Sequence, residues 1–313
     1  MNNSDNAILI FSNTHDFSTL EVIKWLELNN RAYYLISSID DFYTHHISLK
    51  EDFILKKYAA VWYRKLFVDI PQLETKNFEF KNSTNKFLLS ELKYFYYGVE
   101  KILKNVKSLG NGFSLMDLNK IDVLIEAKKI GIQVPEYLLT NSKIELLEFK
   151  NTHQKIITKP IYNAMPIIIN DQKKGYMYTN IVNDVVISKL PNEFFPSFFQ
   201  ECISKDYEIR VFYLDGNFFS SAIFSSSEDD SIDYRNKKKN KIHPVPYKLP
   251  IALEKKLNSL MRKLKLNTGS IDLIKCISGD YYFLEINPCG QYEAISTMCN
   301  YQLNKKIAEW LMN

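Results

Sequence analysis

Three residues near the end of the chain have side chains that suit a divalent metal ion. Asp272 lies in the apolar run GSIDLIK, and Glu285 and Asn287 lie two positions apart in YYFLEINP. Because alternate residues of a strand project from one face, Glu285 and Asn287 point the same way, and Asp272 would meet them from an adjacent antiparallel strand. Two carboxylates and an amide oxygen are hard ligands that suit Mg²⁺, which keeps other positions for water and phosphate. The pattern predicts a nucleotide–metal site.

The alternative is that these acids form the solvated face of an ordinary hairpin. The neighbouring residues argue against that alternative, because positions 271, 273, 283, 284 and 286 are all apolar. An unpaired carboxylate among them would be costly to bury, and a metal would compensate its charge.

Two lysines upstream are candidate ligands for phosphate. Lys159 ends the predicted strand at 155–158, where its ammonium could reach a phosphate as a point charge. Lys120, in LNKIDVL, could supply a second cation. A lysine at the end of a strand is nearly always ordinary surface, so both residues gain meaning only from their order in the chain.

The segment FFQECISKDYEIRVF predicts a hinge beside a nucleotide. The backbone of Glu201, Cys202 and Ile203 could face an adenine, and the Glu208 carboxylate could bind the ribose hydroxyls. Arg210 lies two residues further on the same strand face. It is either catalytic or the structural ion-pair partner of a nearby acid.

A polar stretch at 225–241 is too long for a simple turn, which is typical of functional or disordered loops. Arg235 within it could close over a bound substrate and serve as a second catalytic cation. The lysines at 237–239 are either a solvated loop tip or an attraction for an acidic peptide.

The composition narrows the class of protein. The 313 residues predict two or three lobes, and 46% hydrophobic residues indicate a globular chain. A net charge of +4 from 40 basic and 36 acidic residues is too balanced for nucleic acid to be the main partner. The opening MNNSDNAILIF has no basic stretch, and its apolar run is too short for a signal or a membrane span. We expect a cytoplasmic protein without a membrane partner.

The elements that must position these residues predict an α/β and α+β architecture. Residues 1–115 alternate strands with helices, including one that would begin at a Ser18–Glu21 capping box and one at 86–103. Residues 116–199 contain short β-rich runs, among them 185–188, and residues 200–313 contain longer strands around a helix at 251–264. We therefore expect an open α/β lobe, a central lobe and a C-terminal lobe, with the nucleotide between the last two.

The order of these motifs resembles the ATP-grasp superfamily over roughly residues 115–313. The resemblance implies ATP and Mg²⁺ as cofactors and assigns a role to each motif. By this resemblance, phosphate would be held by Lys120 and Lys159, adenine by the backbone at 201–203, ribose by Glu208, and metal by Asp272, Glu285 and Asn287.

The whole chain is similar to ATP-grasp maturases of ribosomally made peptides, of the microviridin and graspetide kind, including the "grasp-with-spasm" type. The segments AILIFSNTHDFSTLEVIKWL, AVWYRK and NKIDVLIEAKKIGIQVPEYLLTN carry this likeness. It implies an enzyme that joins Asp or Glu carboxylates of a precursor peptide, made of a leader and an acidic core, to Thr, Ser or Lys side chains. It also implies a homodimer. One departure is IYNAMPIIINDQKKGYMY after Lys159, which lacks the glycine-rich phosphate loop of many ATP-grasp enzymes.

Two other functions remain open at this point. The first is an ATP-grasp ligase that adds an amino acid or another amine to a small or peptide carboxylate, with the same residues. The second is a nucleotide-binding regulatory module without turnover, which retention of all three metal ligands argues against.

Overall fold

The structure is a computed structural model of the 313-residue chain. It describes residues 6–38, 41, 58–65, 78–110, 112, 118–162, 166–170, 173–176, 178–224 and 244–313. Arg235, the lysines at 237–239 and the lobe boundary at 115/116 lie outside these residues.

The first lobe is built on a parallel four-stranded sheet. Its strands are β1 (Ala7–Phe11), β2 (Tyr33–Ile36), β3 (Tyr58–Tyr63) and β4 (Lys107–Leu109), in the order β2-β1-β3-β4. Helices α1 (Phe17–Leu28) and α2 (Phe78–Ile102) accompany them. The cap of α1 is Asp16, whose carboxylate accepts from the Thr19 N–H, so Ser18 lies inside the helix and the predicted Ser18–Glu21 capping box is wrong. Asp16 also ends the tight turn at 13–16, in which its N–H donates to Asn13 O at 3.0 Å.

The second sheet has the order β5-β10-β6-β9. Its strands are β5 (Tyr137–Ser142), β6 (Ile156–Thr158), β9 (Asn180–Val182) and β10 (Glu193–Glu201). The helices of this region are α3 (Lys120–Lys129), α4 (Lys143–Thr152) and α5 (Asp184–Ser188). A separate two-stranded hairpin is formed by β7 (Pro166–Asn170) and β8 (Lys173–Tyr176). Residues 185–188 were predicted as a strand and form α5 instead. The Asn183 side chain accepts from the Val186 N–H, so a helix cap outweighs the β-propensity of this run.

The third sheet is antiparallel and carries the predicted metal residues. Its order is β13-β12-β11-β14-β15. The elements are β11 (Lys205–Leu214), β12 (Asn217–Ile223), β13 (Pro244–Tyr247), α6 (Ile251–Lys263), β14 (Thr268–Cys276), β15 (Tyr281–Asn287), α7 (Glu293–Met298) and α8 (Leu303–Met312). The predicted antiparallel pairing of the last two strands is confirmed.

One hydrophobic core joins the two ends of the chain. Ile10 and Leu26 of the first lobe lie in the same buried cluster as Leu214 of β11 and Ile307 and Leu311 of α8. The second sheet has a smaller cluster of its own around Leu146 and Phe199. The mixed α/β organisation is therefore as predicted, while the division at 115 and 199 stays a prediction.

Candidate active site

Three charged residues of the third sheet and one from helix α3 form a row. Arg210, Asp272 and Glu285 are directly opposite one another on β11, β14 and β15. Arg210 Nη1 lies 3.4 Å from Asp272 Oδ1, and Lys120 Nζ lies 3.4 Å from Glu285 Oε2. The row therefore places two adjacent carboxylates between two cations.

A β-bulge sets how β15 faces this site. Asp272 is opposite Glu285, but the next residue, Leu273, is opposite Phe283, so Leu284 is an extra residue in β15. Leu284 and Glu285 consequently both line the same cavity, which regular alternation would not allow. The bulge therefore places an apolar side chain beside the acid pair.

The donor set fits a magnesium ion. Opposite residues of an antiparallel pair have Cβ atoms about 4.5–5.5 Å apart, so Asp272 and Glu285 can share one cation. Asn287 lies on the same face of β15, opposite Ser270. Its Oδ1 accepts from the Cys289 N–H at 3.1 Å and keeps a second lone pair for another partner. Among the described residues no group of three His, Cys, Asp or Glu side chains could hold a metal, so any site here combines carboxylates with amide or phosphate oxygens.

A cavity of about 330 Å³ lies between the second and third sheets, a size typical of small-molecule sites. Eight of the ten described candidate residues line this cavity, whereas Lys120 and Asn287 do not. These eight are Lys159, Glu201, Cys202, Ile203, Glu208, Arg210, Asp272 and Glu285.

The hinge forms one end of this cavity. The Glu201 N–H donates to Glu136 O at 2.8 Å, and the Cys202 N–H donates to Lys155 O at 2.9 Å. Both amides are therefore engaged within the protein. Ile203 lines the same cavity, where its backbone could contact a ligand.

The other charged candidates also contact protein groups. Lys159 follows β6, and its ammonium lies 5.7 Å from the centre of the Phe198 ring. Glu208 Oε1 lies 2.5 Å from Lys205 Nζ, and both side chains line the cavity. Lys120 Nζ lies 3.5 Å from the carbonyls of Pro160 and Tyr162 in addition to Glu285. Lys159 and Lys205 therefore both line the cavity, and Lys120 lies beside Glu285 of the acid pair.

Sequence reasoning left two residues unassigned that the structure makes prominent. The Arg64 side chain is buried and contacts the loop after Asn287. Gln200 lines the cavity, and its buried Nε2 and Oε1 have no hydrogen-bond partner among the described residues. The sequence gives no distinct signal for Gln200, because it is followed directly by another polar residue, Glu201.

Burial also distinguishes the phenylalanines at 194–199 from one another and affects the Cys289 thiol. Phe198 and Phe199 are core residues, whereas Phe195 is 87% exposed, so only part of the phenylalanine cluster at 194–199 could form an apolar groove. Burial raises the pKa of the Cys289 thiol, which Arg64 and Lys65 only partly offset. A thiol with a raised pKa is poorly suited to act as a nucleophile.

Solved structures share this arrangement of elements. The macrocyclase MdnC of Microcystis aeruginosa, bound with precursor peptide MdnA, matches with a TM-score of 0.79 and 24% identity over 98% of this chain and 99% of that one. A RiPP-associated ATP-grasp ligase of Chryseobacterium gregarium, in complex with ADP and a leader and core peptide, matches with a TM-score of 0.79 and 23% identity over 98% and 96%. The chain has the ATP-grasp fold. D-alanine–D-alanine ligase of Bacillus anthracis is a more distant ATP-grasp-like neighbour, with a TM-score of 0.59 and 15% identity over 98% and 96%.

The predicted ATP-grasp resemblance is thus confirmed for the fold. No family model matches the sequence, and no curated protein matches it. Within the described ranges, none of the helices combines the length and apolar composition that a bilayer crossing requires.

Proposed function

We propose that this chain is an ATP- and Mg²⁺-dependent peptide macrocyclase. It would phosphorylate Asp or Glu side chains of a ribosomally made precursor and join them to Thr or Ser as esters, or to Lys as amides. The observation that carries this proposal is the acid pair Asp272–Glu285, placed between Arg210 and Lys120 beside a cavity of nucleotide-binding size. The precursor peptides bound to neighbours of this fold support a peptide substrate.

ATP would lie in the cavity with its adenine at the hinge. The Ile203 backbone and the hinge carbonyls would face the base, and Glu208 would accept hydrogen bonds from the ribose. Lys159 and Lys120 would contact the phosphates, so Lys120 would exchange part of its contact with Glu285 for the nucleotide. This placement directs the terminal phosphate towards the acid pair.

Magnesium would be held by Asp272, Glu285 and Asn287. When bound, it would neutralise charge on the phosphate oxygens during transfer. The residues of the chain supply alignment: Arg210 lies beside Asp272 and would stabilise the charge that spreads over the transferred group. Arg235, outside the described residues, is proposed as a second cation that closes over the substrate.

The reaction balances in two steps. A substrate carboxylate oxygen forms a bond to the γ-phosphorus while the bond to the β-phosphate oxygen breaks, which releases ADP. A hydroxyl or amine of the same peptide then forms a bond to the acyl carbon, and phosphate leaves with the bonding electron pair. The nucleophile loses one proton, so each ring formed removes one water from the peptide.

The decisive experiment is incubation of the protein with ATP, Mg²⁺ and the precursor peptide encoded beside it, followed by intact mass measurement. We expect loss of one water for each bond formed and release of one ADP for each water lost. An unchanged peptide mass together with no peptide-stimulated ADP release would contradict the proposal.

Matched variants make this test specific for the site. Asp272→Ala and Asn287→Ala should abolish water loss while the thermal melting curve stays cooperative. Asp280→Ala is the control, because this exposed acid lies in the turn of the same hairpin, and its carboxylate contacts only Ser278 among the described residues. It should retain full turnover.

The main rival is a ligase that adds a free amino acid or amine to a small or peptide carboxylate. It would use the same residues, but the substrate would gain the mass of the added group rather than lose water. A regulatory module without turnover is the second rival. Peptide-stimulated ADP release would exclude it.

Substrate attraction by the loop is also part of the proposal. If the lysines at 237–239 attract an acidic core, peptide binding should weaken with salt, and changing all three to Ser should remove that dependence. We further propose that the protein is a cytoplasmic homodimer. Light scattering of the purified protein would measure its oligomeric state.

A further inference from the structure

Arg64 is a buried arginine at the junction of the first lobe and the loop that follows the acid pair. It comes directly after β3, and its side chain is 4% exposed. Its backbone N–H donates to the Phe11 carbonyl at 2.9 Å, which continues the first sheet by one residue. The position of Arg64 is therefore determined by the parallel sheet of the first lobe.

Every N–H donor of this guanidinium has an acceptor. A guanidinium has five donors in a rigid fork, so five well-placed acceptors determine both its position and its plane. Two acceptors belong to the first lobe and three to the loop: Asp16 Oδ2 at 3.2 Å and Ser18 Oγ at 3.4 Å, then Cys289 O at 3.1 Å, Gly290 O at 3.1 Å and Gln291 Oε1 at 3.3 Å.

Two hydrogen bonds join this loop to Asn287. The Asn287 Oδ1 accepts from the Cys289 N–H at 3.1 Å, and the Asn287 carbonyl accepts from the Gly290 N–H at 3.0 Å. A Cβ on Gly290 would lie 2.3 Å from Ser270 Oγ, so the loop cannot shift towards β14. Movement of the carbonyls that Arg64 holds would therefore reorient the Asn287 amide.

We propose that Arg64 is a positioning residue that orients Asn287 for magnesium. The first lobe would thereby contribute to metal affinity in the third sheet, although it supplies no ligand. This inference rests on the proposed function, because it needs Asn287 to be a ligand. Groups that hold metal ligands commonly change metal affinity about 10- to 100-fold when they are replaced.

The test measures how much Mg²⁺ tightens ADP binding, by calorimetry with and without the ion. For Arg64→Lys we expect this tightening to shrink at least about tenfold, while ADP affinity without Mg²⁺ stays within about twofold. A lysine keeps the charge but cannot reproduce the five-donor fork. Equal tightening in Arg64→Lys and the unaltered protein would overturn the inference.

Asn267→Ala is the matched control for loss of a contact between the first lobe and the third sheet. Its side chain donates to Ser108 O at 2.7 Å and accepts from the Gly110 N–H at 2.9 Å, away from the acid pair. This variant should keep the full Mg²⁺ effect. If it loses the effect as Arg64→Lys does, general weakening of the lobe contact is the cause, and the inference is overturned.

Gly290→Ala decides the question if Arg64→Lys does not fold. It displaces the loop while Arg64 stays intact, and we expect the same loss of Mg²⁺ tightening in protein that melts cooperatively. A normal Mg²⁺ effect in Gly290→Ala would contradict the inference. Absence of any Mg²⁺ effect in the unaltered protein would instead refute the proposed function.

Discussion

The Arg210 guanidinium lies directly opposite the Asp272 carboxylate, with 3.4 Å between Nη1 and Oδ1, at the edge of the candidate nucleotide cavity. The sequence left open whether Arg210 is catalytic or only the partner of a nearby acid. The geometry shows that it has such a partner, and that this partner is itself a proposed metal ligand. A variant at Arg210 must therefore be tested for stability and for rate separately.

We predict that Arg210→Met reduces turnover far more than it reduces stability. Partly exposed ion pairs contribute about 0.2–1 kcal/mol, whereas a cation that stabilises a transition state can contribute about 100- to 1,000-fold in rate. Single-turnover kinetics and urea unfolding of Arg210→Met, Asp272→Asn and the double variant would separate the two effects. A rate loss no larger than tenfold in Arg210→Met would show that Arg210 has a structural rather than a catalytic role.

Lys120→Met should weaken ADP binding by roughly tenfold or more, because a hydrogen bond to a charged group contributes about 1.5–3 kcal/mol. Its ammonium already lies between Glu285 and the carbonyls after β6, where a phosphate could replace one of them. Lys128→Met on the same helix is the control, since its ion pair with Glu136 is largely exposed. Equal ADP affinities in both variants would remove Lys120 from the site.

Asp16→Asn should lower stability at neutral pH by about 1–3 kcal/mol, because it leaves donors of Arg64 and Lys65 without a charged acceptor. Burial raises the pKa of Asp16, but Arg64, Lys65 and Thr19 together outweigh burial, so its pKa is lowered from the ordinary value. A carboxyl with a lowered pKa stabilises the protein above its ordinary pKa, and this contribution is lost as pH falls through the lowered value.

The free energies of unfolding of Asp16→Asn and of the unaltered protein should therefore converge as the pH falls into the acid range. Urea unfolding from neutral pH down to about pH 3 would measure this, in the range where aspartate titrates. Asp122→Asn, an exposed acid in the first turn of α3, serves as the control and should change stability little. A constant difference between the Asp16→Asn and unaltered proteins at every pH would show that the Asp16 charge does not contribute.

Gln200→Met should stabilise the ligand-free protein by about 1–3 kcal/mol, because it removes two buried polar atoms for which the described residues offer no partner. Met is close to Gln in shape, so the packing of the strand should be kept. Chemical denaturation would measure the change, with the exposed Gln154→Met as control. Destabilisation by Gln200→Met would mean that the amide has a partner, such as an ordered water.

The part of the site that depends on local strand alternation could be predicted from the sequence. Glu285 and Asn287 lie on one face as their spacing requires, and Asp272 meets Glu285 from the paired strand. The bulge at Leu284 could not be foreseen, because it depends on the register of β14 against β15 rather than on residue type. The contacts of Arg64 could not be foreseen either, since its loop acceptors lie 225 to 227 positions away.

Fold prediction failed where local caps outweighed propensity. The run at 185–188 is β-branched, yet the Asn183 cap starts a short helix there. At α1 the Ser18–Glu21 spacing matched a capping box, but Asp16 is the cap, because its carboxylate accepts from the Thr19 N–H. The same carboxylate also pairs with Arg64, which follows β3. In both cases one hydrogen bond, accepted by a polar side chain from a backbone N–H, decided the boundary.

The core shared by the two ends of the chain affects how the protein must be synthesised. Ile10 and Leu26 share one buried cluster with Ile307 and Leu311, which the ribosome adds much later. A nascent first lobe on the ribosome would therefore keep an apolar surface uncovered until α8 emerges, and such surfaces favour aggregation and chaperone binding. Stalling translation before α8 should leave the first lobe dependent on chaperones, even though its parallel sheet is already complete.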